Sequence, residues 1–105
     1  MFGKLNGKGK EYPHSPFNTQ ILFEGEYLNG IRNGQGKEYC GGKLRYEGEY
    51  LNGMKNGKVK EYYDDNKLKF EGDYFNGKKW NGKEYNKDGK IEFEIENGNV
   101  KNKIK

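Results

Sequence analysis

The stretch FEGEYLNGIRNGQGKEY, residues 23–39, determines the fold because the chain repeats it. It recurs as YEGEYLNGMKNGKVKEY at residues 46–62 and as FEGDYFNGKKWNGKEY at residues 70–85, so successive copies begin 23 and 24 residues apart. A degenerate copy, FEIENG, starts at Phe93, and NGKGKEY at residues 6–12 matches only the second half of a unit. Self-similarity at this period is typical of a repeat protein, in which each unit packs on its neighbours.

Each unit begins with the period-two alternation of a strand. In the first unit, Phe23 and Tyr27 point to one face with Gly25 between them, while Glu24 and Glu26 point to the other. Glycine at this position lets the aromatic rings lie over the bare backbone of neighbouring strands. Two Asn-Gly pairs follow in each of the first two units, and Asn-Gly supplies the positive φ angles of a hairpin turn. Each unit is therefore predicted to be a β-hairpin with one apolar face.

The links between units are too short for a crossover helix, so strand follows strand. We predict an all-β fold, a single-layer antiparallel meander of stacked β-hairpin repeats with about seven or eight strands. The predicted single domain, residues 1–105, comprises a half repeat at 5–12, a loop insertion at 13–20, repeats at 21–43, 44–66 and 67–90, and a degenerate cap at 91–105. The pattern leaves open which face carries Tyr39, Tyr62 and Tyr85.

Composition limits the class of protein. With 30% hydrophobic and 34% charged residues, the chain resembles a disordered protein, but its 15% aromatic content favours an ordered sheet with a thin aromatic core. A chain of 105 residues has little room for a large active-site cleft. It also has no apolar run approaching the roughly 20 residues of a membrane span. We expect a cytoplasmic protein, with attachment to a membrane surface as the alternative.

Residues with catalytic or metal-binding chemistry are few. His14 and Ser15 are adjacent between two prolines, which favours a turning connector over a positioned catalytic pair. One histidine and one cysteine, Cys40, cannot supply the four ligands of structural zinc. The acidic run at residues 64–66 is typical of a turn and lacks the spaced ligands of a calcium loop. We predict no catalytic residue, no metal, no cofactor and no small-molecule substrate.

The apolar face of the predicted sheet, called the aromatic face, is the main candidate for binding a protein. No helix or second sheet covers it, so it must close on itself or be covered by a partner. The candidate residues are Phe23, Tyr27, Tyr46, Tyr50, Phe70, Tyr74 and Trp80. We expect this face to be concave and to receive a partner helix, a peptide or a second copy of the chain. Unpaired edge strands provide a second route to dimerisation.

Basic residues at the hairpin tips suggest a different partner. They are Arg32, Lys55, Lys78 and Lys79. Such a row attracts anionic phospholipid headgroups by about 1 kcal/mol per charge. Nucleic acid is not expected, because the carboxylates between the lysines repel a phosphate backbone. A protein partner is therefore predicted, with a membrane tether as the alternative.

The pattern Y/F-E-G-E/D-Y-x-N-G-x-x-x-G-x-G at a period of 23 resembles the MORN repeat (membrane occupation and recognition nexus) across residues 5–98. The resemblance implies a rod of stacked β-hairpins that acts as a non-catalytic scaffold or dimerisation module, with phospholipid binding in some members. Similar bacterial repeat proteins are often labelled as antitoxins. That implies a further alternative, in which the partner is an intracellular toxin.

Overall fold

The structure is a computed structural model that describes residues 4–17 and 20–103. The side chains of residues 102 and 103 are outside this description. Residues 18 and 19 of the predicted loop insertion, and 104 and 105 of the predicted cap, lie outside the described residues, as do residues 1–3 at the start of the chain.

The described chain forms one antiparallel sheet whose nine strands follow each other in sequence order. The strands are β1 (Gly7–Glu11), β2 (Phe23–Leu28), β3 (Ile31–Cys40), β4 (Lys43–Leu51), β5 (Met54–Tyr62), β6 (Leu68–Phe75), β7 (Lys78–Tyr85), β8 (Ile91–Glu96) and β9 (Asn99–Lys103). The predicted all-β open meander is confirmed, with nine strands instead of about seven or eight. The count is higher because the predicted cap forms a complete hairpin, β8 and β9.

Asn-Gly pairs make the turn at the end of each hairpin. Asn29 and Gly30 have φ angles of 52° and 80°, and the pairs at 52–53, 76–77 and 97–98 have nearly the same values. Two successive positive φ angles define a type I′ turn, whose twist matches that of the strands it joins. These four turns lie along one long edge of the sheet, here called the turn edge.

The second Asn-Gly pair of a unit has a different role from the one predicted. Asn33 and Gly34 lie inside β3, where the pairing with β2 shifts register between Gly25 and Tyr27. The prediction that this pair supplies turn residues is therefore wrong. Gly25 pairs with Gly36, and Tyr27 pairs with Arg32. One residue lies between these pairs on β2 and three lie between them on β3, so β3 must bulge. The Glu26 carboxylate accepts a hydrogen bond from the Gln35 backbone N–H at 2.7 Å and holds the bulge.

Asparagine at the bulge links each hairpin to the next. The Asn52 backbone N–H donates to Asn33 Oδ1 at 3.0 Å, and the Gly53 N–H donates to the Arg32 carbonyl at 2.8 Å. The same side-chain bond recurs from Asn29 to Asn6, from Asn76 to Asn56 and from Asn97 to Asn81. Every turn is thus fixed by the unit before it, which sets the spacing of the hairpins.

We expect Asn33→Ala to lower the free energy of unfolding by about 1 kcal/mol, because the Asn52 N–H loses its acceptor. Urea denaturation measures the change. Gln35→Ala is the control, since Gln35 lies in the same strand, is exposed and bonds Glu26 through its backbone. Equal unfolding midpoints for the two variants would contradict a stabilising role for the Asn33 side chain.

The core lies on the aromatic face. The buried hydrophobic residues are Phe23, Tyr27, Tyr46, Tyr50, Val59, Phe70 and Tyr74. Glycine is required where strands approach closely: a Cβ on Gly25 would lie 2.5 Å from the Gln35 carbonyl oxygen and 2.6 Å from Gly36 Cα. The Phe23 ring covers Gly36, where a Cβ would come within 2.6 Å of the ring. Bare backbone at these positions lets a single layer bury aromatic rings.

Candidate partner-binding surfaces

Six of the seven predicted partner-binding residues form a continuous chain of ring contacts across the sheet. Their order is Tyr27, Phe23, Tyr50, Tyr46, Tyr74 and Phe70, with edge-to-face geometry and centroid distances of 5.3 to 6.3 Å. Phe23 and Phe70 have no exposed surface, and the most exposed of the six, Tyr74, has 9%. Edge-to-face pairs are favoured by the ring quadrupole and add to the stabilisation from burial. These rings therefore act as the hydrophobic core.

Cationic side chains cover the rings. The Arg32 guanidinium lies 3.9 Å from the Phe23 ring centroid, and the Lys55 ammonium lies 4.3 Å from that of Tyr46. Lys79 lies over Phe70 at 5.0 Å. Arg32, Lys55 and Lys79 are three of the four cations predicted to bind lipid, and all three lie on the aromatic face, opposite a tyrosine in the strand register. The fourth, Lys78, is exposed beside the turn.

Glutamates pair with these cations to form an ion-pair ladder across the aromatic face. Its members, in order across the sheet, are Glu11, Arg32, Glu38, Lys55, Glu61, Lys79 and Glu84. Arg32 Nε lies 2.8 Å from Glu11, and Lys55 Nζ lies 3.7 Å from Glu61. The sequence analysis did not single out these glutamates. The signal for them was the triplet Lys-Glu-Tyr at the end of every second strand.

Tyrosine hydroxyls complete the ladder. Tyr27 donates to Glu11 at 2.6 Å, Tyr50 donates to Glu38, and Tyr74 donates to Glu61 at 3.0 Å. Burial, followed by the hydrogen bond to Glu11, raises the pKa of Tyr27 to about 12. The hydrogen bond from Arg32 lowers the pKa of the Glu11 carboxyl. At neutral pH, the neutral Tyr27 phenol therefore donates to an ionised Glu11 carboxylate.

The ladder bears on the predicted use of the aromatic face. A partner that touched the six rings would have to displace Arg32, Lys55 and Lys79 from their rings and from their carboxylates. Breaking paired, half-buried charges carries a cost for each group left without its partner. Partner binding by these rings remains a prediction.

The opposite surface, here called the charged face, carries lysines and carboxylates in alternating strands. Lys37 is paired in register with Glu24 and Glu47, and Lys60 with Glu47 and Glu71. The Lys60 ammonium lies 3.7 Å from Glu71. A groove of about 1500 Å³ crosses this face from β1 to β6, with the strand glycines as its floor. This groove lies on the face opposite the one predicted to be concave.

Two of the tyrosines whose face was left open lie on the charged face. Tyr39 donates its hydroxyl to Glu24 at 3.1 Å, and Tyr62 donates to Glu47 at 2.6 Å. Burial, followed by that hydrogen bond, raises the pKa of Tyr62 to about 12. Tyr85 has the equivalent register position, opposite Ile91.

Large apolar side chains are exposed along the turn edge of the charged face. We call this set the turn-edge row; its members are Leu28, Ile31, Leu51, Met54, Phe75 and Trp80. The first five are 46% to 52% exposed, and Trp80 is half-buried. Leu28 pairs with Ile31 in register across its turn, and Leu51 pairs with Met54 across the next. This row was not predicted from the sequence, where only the basic residues near the turns were candidates for binding.

Trp80 belongs to this row and lies away from the aromatic face to which it was assigned. Trp80 is the extra residue of the bulge in β7, so its contacts and not strand alternation give its side of the sheet. Phe75, which follows Tyr74 in β6, points to the charged face. The Trp80 ring packs on Phe75 with centroids 5.2 Å apart. Lys78 has the position that Ile31 and Met54 have in the earlier hairpins, and Trp80 supplies the apolar surface in its place.

Comparison with protein families identifies the repeat. Residues 23–43 and 46–67 match the family model of the MORN repeat. These two segments are similar to the MORN repeat. They correspond to the hairpins β2–β3 and β4–β5, the two units with the most complete sequence pattern. No curated protein matches the chain.

The third hairpin has the same internal geometry as the two MORN repeats. Tyr74 lies opposite Lys79 in register, as Tyr27 lies opposite Arg32 and Tyr50 opposite Lys55. MORN repeats are typically non-catalytic units that bind proteins or membranes. The described residues hold no helix with the length and apolarity to cross a membrane.

The two catalytic candidates, His14 and Ser15, lie outside the segments that match the MORN repeat. The Ser15 hydroxyl accepts a hydrogen bond from the Phe17 backbone N–H at 3.3 Å, in the connector between β1 and β2. Within residues 4–17 and 20–103, no three His, Cys, Asp or Glu side chains are placed to hold a metal ion.

The two edges of the described sheet remain candidates for dimerisation. Within the described chain, β1 and β9 each pair with one neighbour. Both edges carry lysine, such as Lys8 and Lys10 on β1 and Lys101 on β9. Lysine on an edge opposes uncontrolled strand pairing.

Proposed function

We propose that this protein is a non-catalytic scaffold that binds a partner protein through the turn-edge row. The observation that carries the proposal is the exposure of five large apolar side chains at equivalent positions of successive hairpins. Contiguous apolar patches of more than a few hundred Å² are uncommon on monomers, and such patches frequently mark binding sites. About half of each of these side chains is exposed, so the row reaches that scale.

The charges around the row favour a protein over a membrane. Glu26, Glu49 and Asp73 lie two residues before Leu28, Leu51 and Phe75 and point to the same face. These carboxylates repel anionic headgroups. Three of the four basic residues proposed for lipid binding are held in the ladder. The tether alternative is therefore the weaker proposal.

A display experiment tests the function. Fragments encoded by the source genome are displayed on yeast and selected on the purified chain. The fragments are then tested on the double variant Leu51→Ser/Met54→Ser and on the control Phe17→Ser/Leu22→Ser, which changes exposed apolar residues outside the row. We expect selected fragments to lose binding about tenfold or more on the first variant and to keep it on the control. Thermal unfolding checks that both variants fold.

Two outcomes would overturn the proposal. One is that no fragment is enriched. The other is that the enriched fragments bind the row variant as tightly as they bind the original chain, which would move the binding site to another surface.

A further inference from the structure

The spacing of the turn-edge row fits one type of partner segment. Its members form three apolar pairs, one per hairpin: Leu28 with Ile31, Leu51 with Met54, and Phe75 with Trp80. Equivalent hairpins are two strands apart, which is about 9.6 Å at the usual strand spacing. Seven residues of an α-helix rise about 10.5 Å. An extended segment repeats its same-face side chains every 6.8 Å or so and would lose register after the first pair.

The row is continuous between hairpins. The side chain of Ile31 reaches the next turn, where a Cβ added to Gly53 would lie 3.2 Å from Ile31 Cγ2. In the same way, a Cβ added to Gly77 would lie 3.7 Å from Met54 Sδ. The first two apolar pairs therefore reach the following turn directly, and Trp80 does the same at Gly98, where an added Cβ would lie 3.1 Å from its ring. In the third hairpin the exposed Lys78 lies beside Phe75, so a helix lying across the strands would contact apolar surface along most of its length.

The bordering charge determines the polar side of that helix. Glu26, Glu49 and Asp73 lie beside the three pairs on the charged face. Glu26 and Glu49 also accept hydrogen bonds from the Gln35 and Lys58 backbone N–H groups, which fixes their carboxylates in place. A second copy of the chain would bring the same carboxylates against these, and like charges oppose that contact. Basic residues beside the apolar stripe of a partner would complement them.

Resting on the function proposed above, we propose that the partner segment is an amphipathic α-helix. Two apolar residues in each seven contact one pair of the row, and lysine or arginine on one flank faces the carboxylates at Glu26, Glu49 and Asp73. The helix lies across β2 to β7, nearly perpendicular to the strands. The turn edge of the sheet would thus bind a helix, with one hairpin contacting each two turns of the partner.

Synthetic peptides test this inference. The probe is a three-heptad peptide with leucine at both apolar positions of each heptad and lysine on one flank. Its controls are a peptide of the same composition in scrambled order and a heptad peptide with glutamate in place of lysine. Fluorescence anisotropy gives affinity, and circular dichroism gives the helix content of the bound peptide. We expect the heptad lysine peptide to bind at least about tenfold more tightly than either control.

Variants of the protein tie the binding to the row. We expect Leu51→Ser/Met54→Ser to weaken the heptad lysine peptide about tenfold or more, and Phe17→Ser/Leu22→Ser to leave it unchanged. Asp73→Asn is the charge variant, since Glu26 and Glu49 also hold backbone N–H groups. Asp73→Asn should weaken binding of the heptad lysine peptide at low salt and have no effect on it at high salt.

Several results would overturn the inference. Equal binding of the heptad and scrambled peptides would do so, and so would binding that the row variant does not change. Row-dependent binding to phosphatidylserine and phosphatidylcholine vesicles would make the occupant a membrane. A dimer seen in analytical ultracentrifugation and lost in the row variant would make it a second copy. If displayed fragments require the row but bind without forming a helix, the inference of a helical partner is wrong and the proposed function stands.

Discussion

Phe70→Ala is expected to lower the free energy of unfolding by about 3–5 kcal/mol, the range for removing a fully buried aromatic ring. Phe70 has no exposed surface. Its ring centroid lies 5.8 Å from that of Tyr74 and 5.0 Å from the Lys79 ammonium. Alanine would leave a cavity in a one-layer sheet and remove the ring under a charge. Such a loss is a large part of the 5–15 kcal/mol typical of a whole domain. Urea denaturation followed by circular dichroism measures it.

The same strand supplies the control. Phe75 is 50% exposed, so Phe75→Ala removes an equal ring with about half of its burial. We expect a loss below about 1.5 kcal/mol for this variant. Equal losses for Phe70→Ala and Phe75→Ala would show that the aromatic face is not closed as described.

Alkaline unfolding is the second large effect. Burial, followed by the hydrogen bond to Glu38, raises the pKa of Tyr50, while burial, followed by the charge of Glu61, raises that of Tyr74. Burial, followed by the charge of Glu38, raises the pKa of Tyr46. A raised pKa in the folded state means that the stabilisation is complete below the unfolded value of about 10 and is lost as pH rises above it.

Each of these tyrosines removes about 1.4 kcal/mol of stability per pH unit while only the unfolded chain ionises. Tyr46, Tyr50 and Tyr74 are each less than 10% exposed, and an unfolded tyrosine is half ionised at pH 10, so we expect their combined loss to be about 3 kcal/mol between pH 10 and pH 11. Tyr27 and Tyr62, with pKa values of about 12, extend the loss. Urea denaturation at pH 8, 10 and 11, together with phenolate absorbance, measures the dependence.

Tyr46→Phe isolates one of the groups. The ring stays in the core, and the lost hydroxyl donates to the Glu49 backbone carbonyl at 3.0 Å, outside the ion-pair ladder. Between pH 10 and pH 11, the slope of stability against pH should fall by about 1 kcal/mol per pH unit. An unchanged slope, or phenolate absorbance of the folded chain at pH 11 that is lower for Tyr46→Phe than for the original chain, would contradict the assignment.

Local pattern was sufficient for the fold, as residues 23–28 show. Phe23, Gly25 and Tyr27 were predicted on one face and Glu24 and Glu26 on the other, because strand alternation is a property of the backbone and not of the partner strands. Asn29-Gly30 was identified as a turn for a similar reason, since φ at these positions depends on the residues themselves. The short links between units then left an antiparallel meander as the available topology.

The candidate site was less predictable. Arg32, Lys55 and Lys79 were interpreted as a basic row at the tips, but each long side chain folds back over a ring on the aromatic face. Each cation pairs with one glutamate at the far end of its own strand and one in the preceding hairpin or half repeat; Lys55, for example, pairs with Glu61 and with Glu38. Asn33 had the same difficulty, because its amide serves a turn in the next unit. Contacts between units are not visible in the sequence of one unit.

The sequence by itself determined a repeat of β-hairpins, the faces of Phe23 and Glu24, and the MORN repeat character of residues 23–43 and 46–67. Tertiary structure decided which surface is closed and which is exposed. Alternation gives the side of the sheet for each residue, whereas exposure depends on how far side chains from neighbouring hairpins reach. The ion-pair ladder covers the rings, and no comparable group covers Leu51 and Met54, so the apolar surface available to a partner lies on the turn edge.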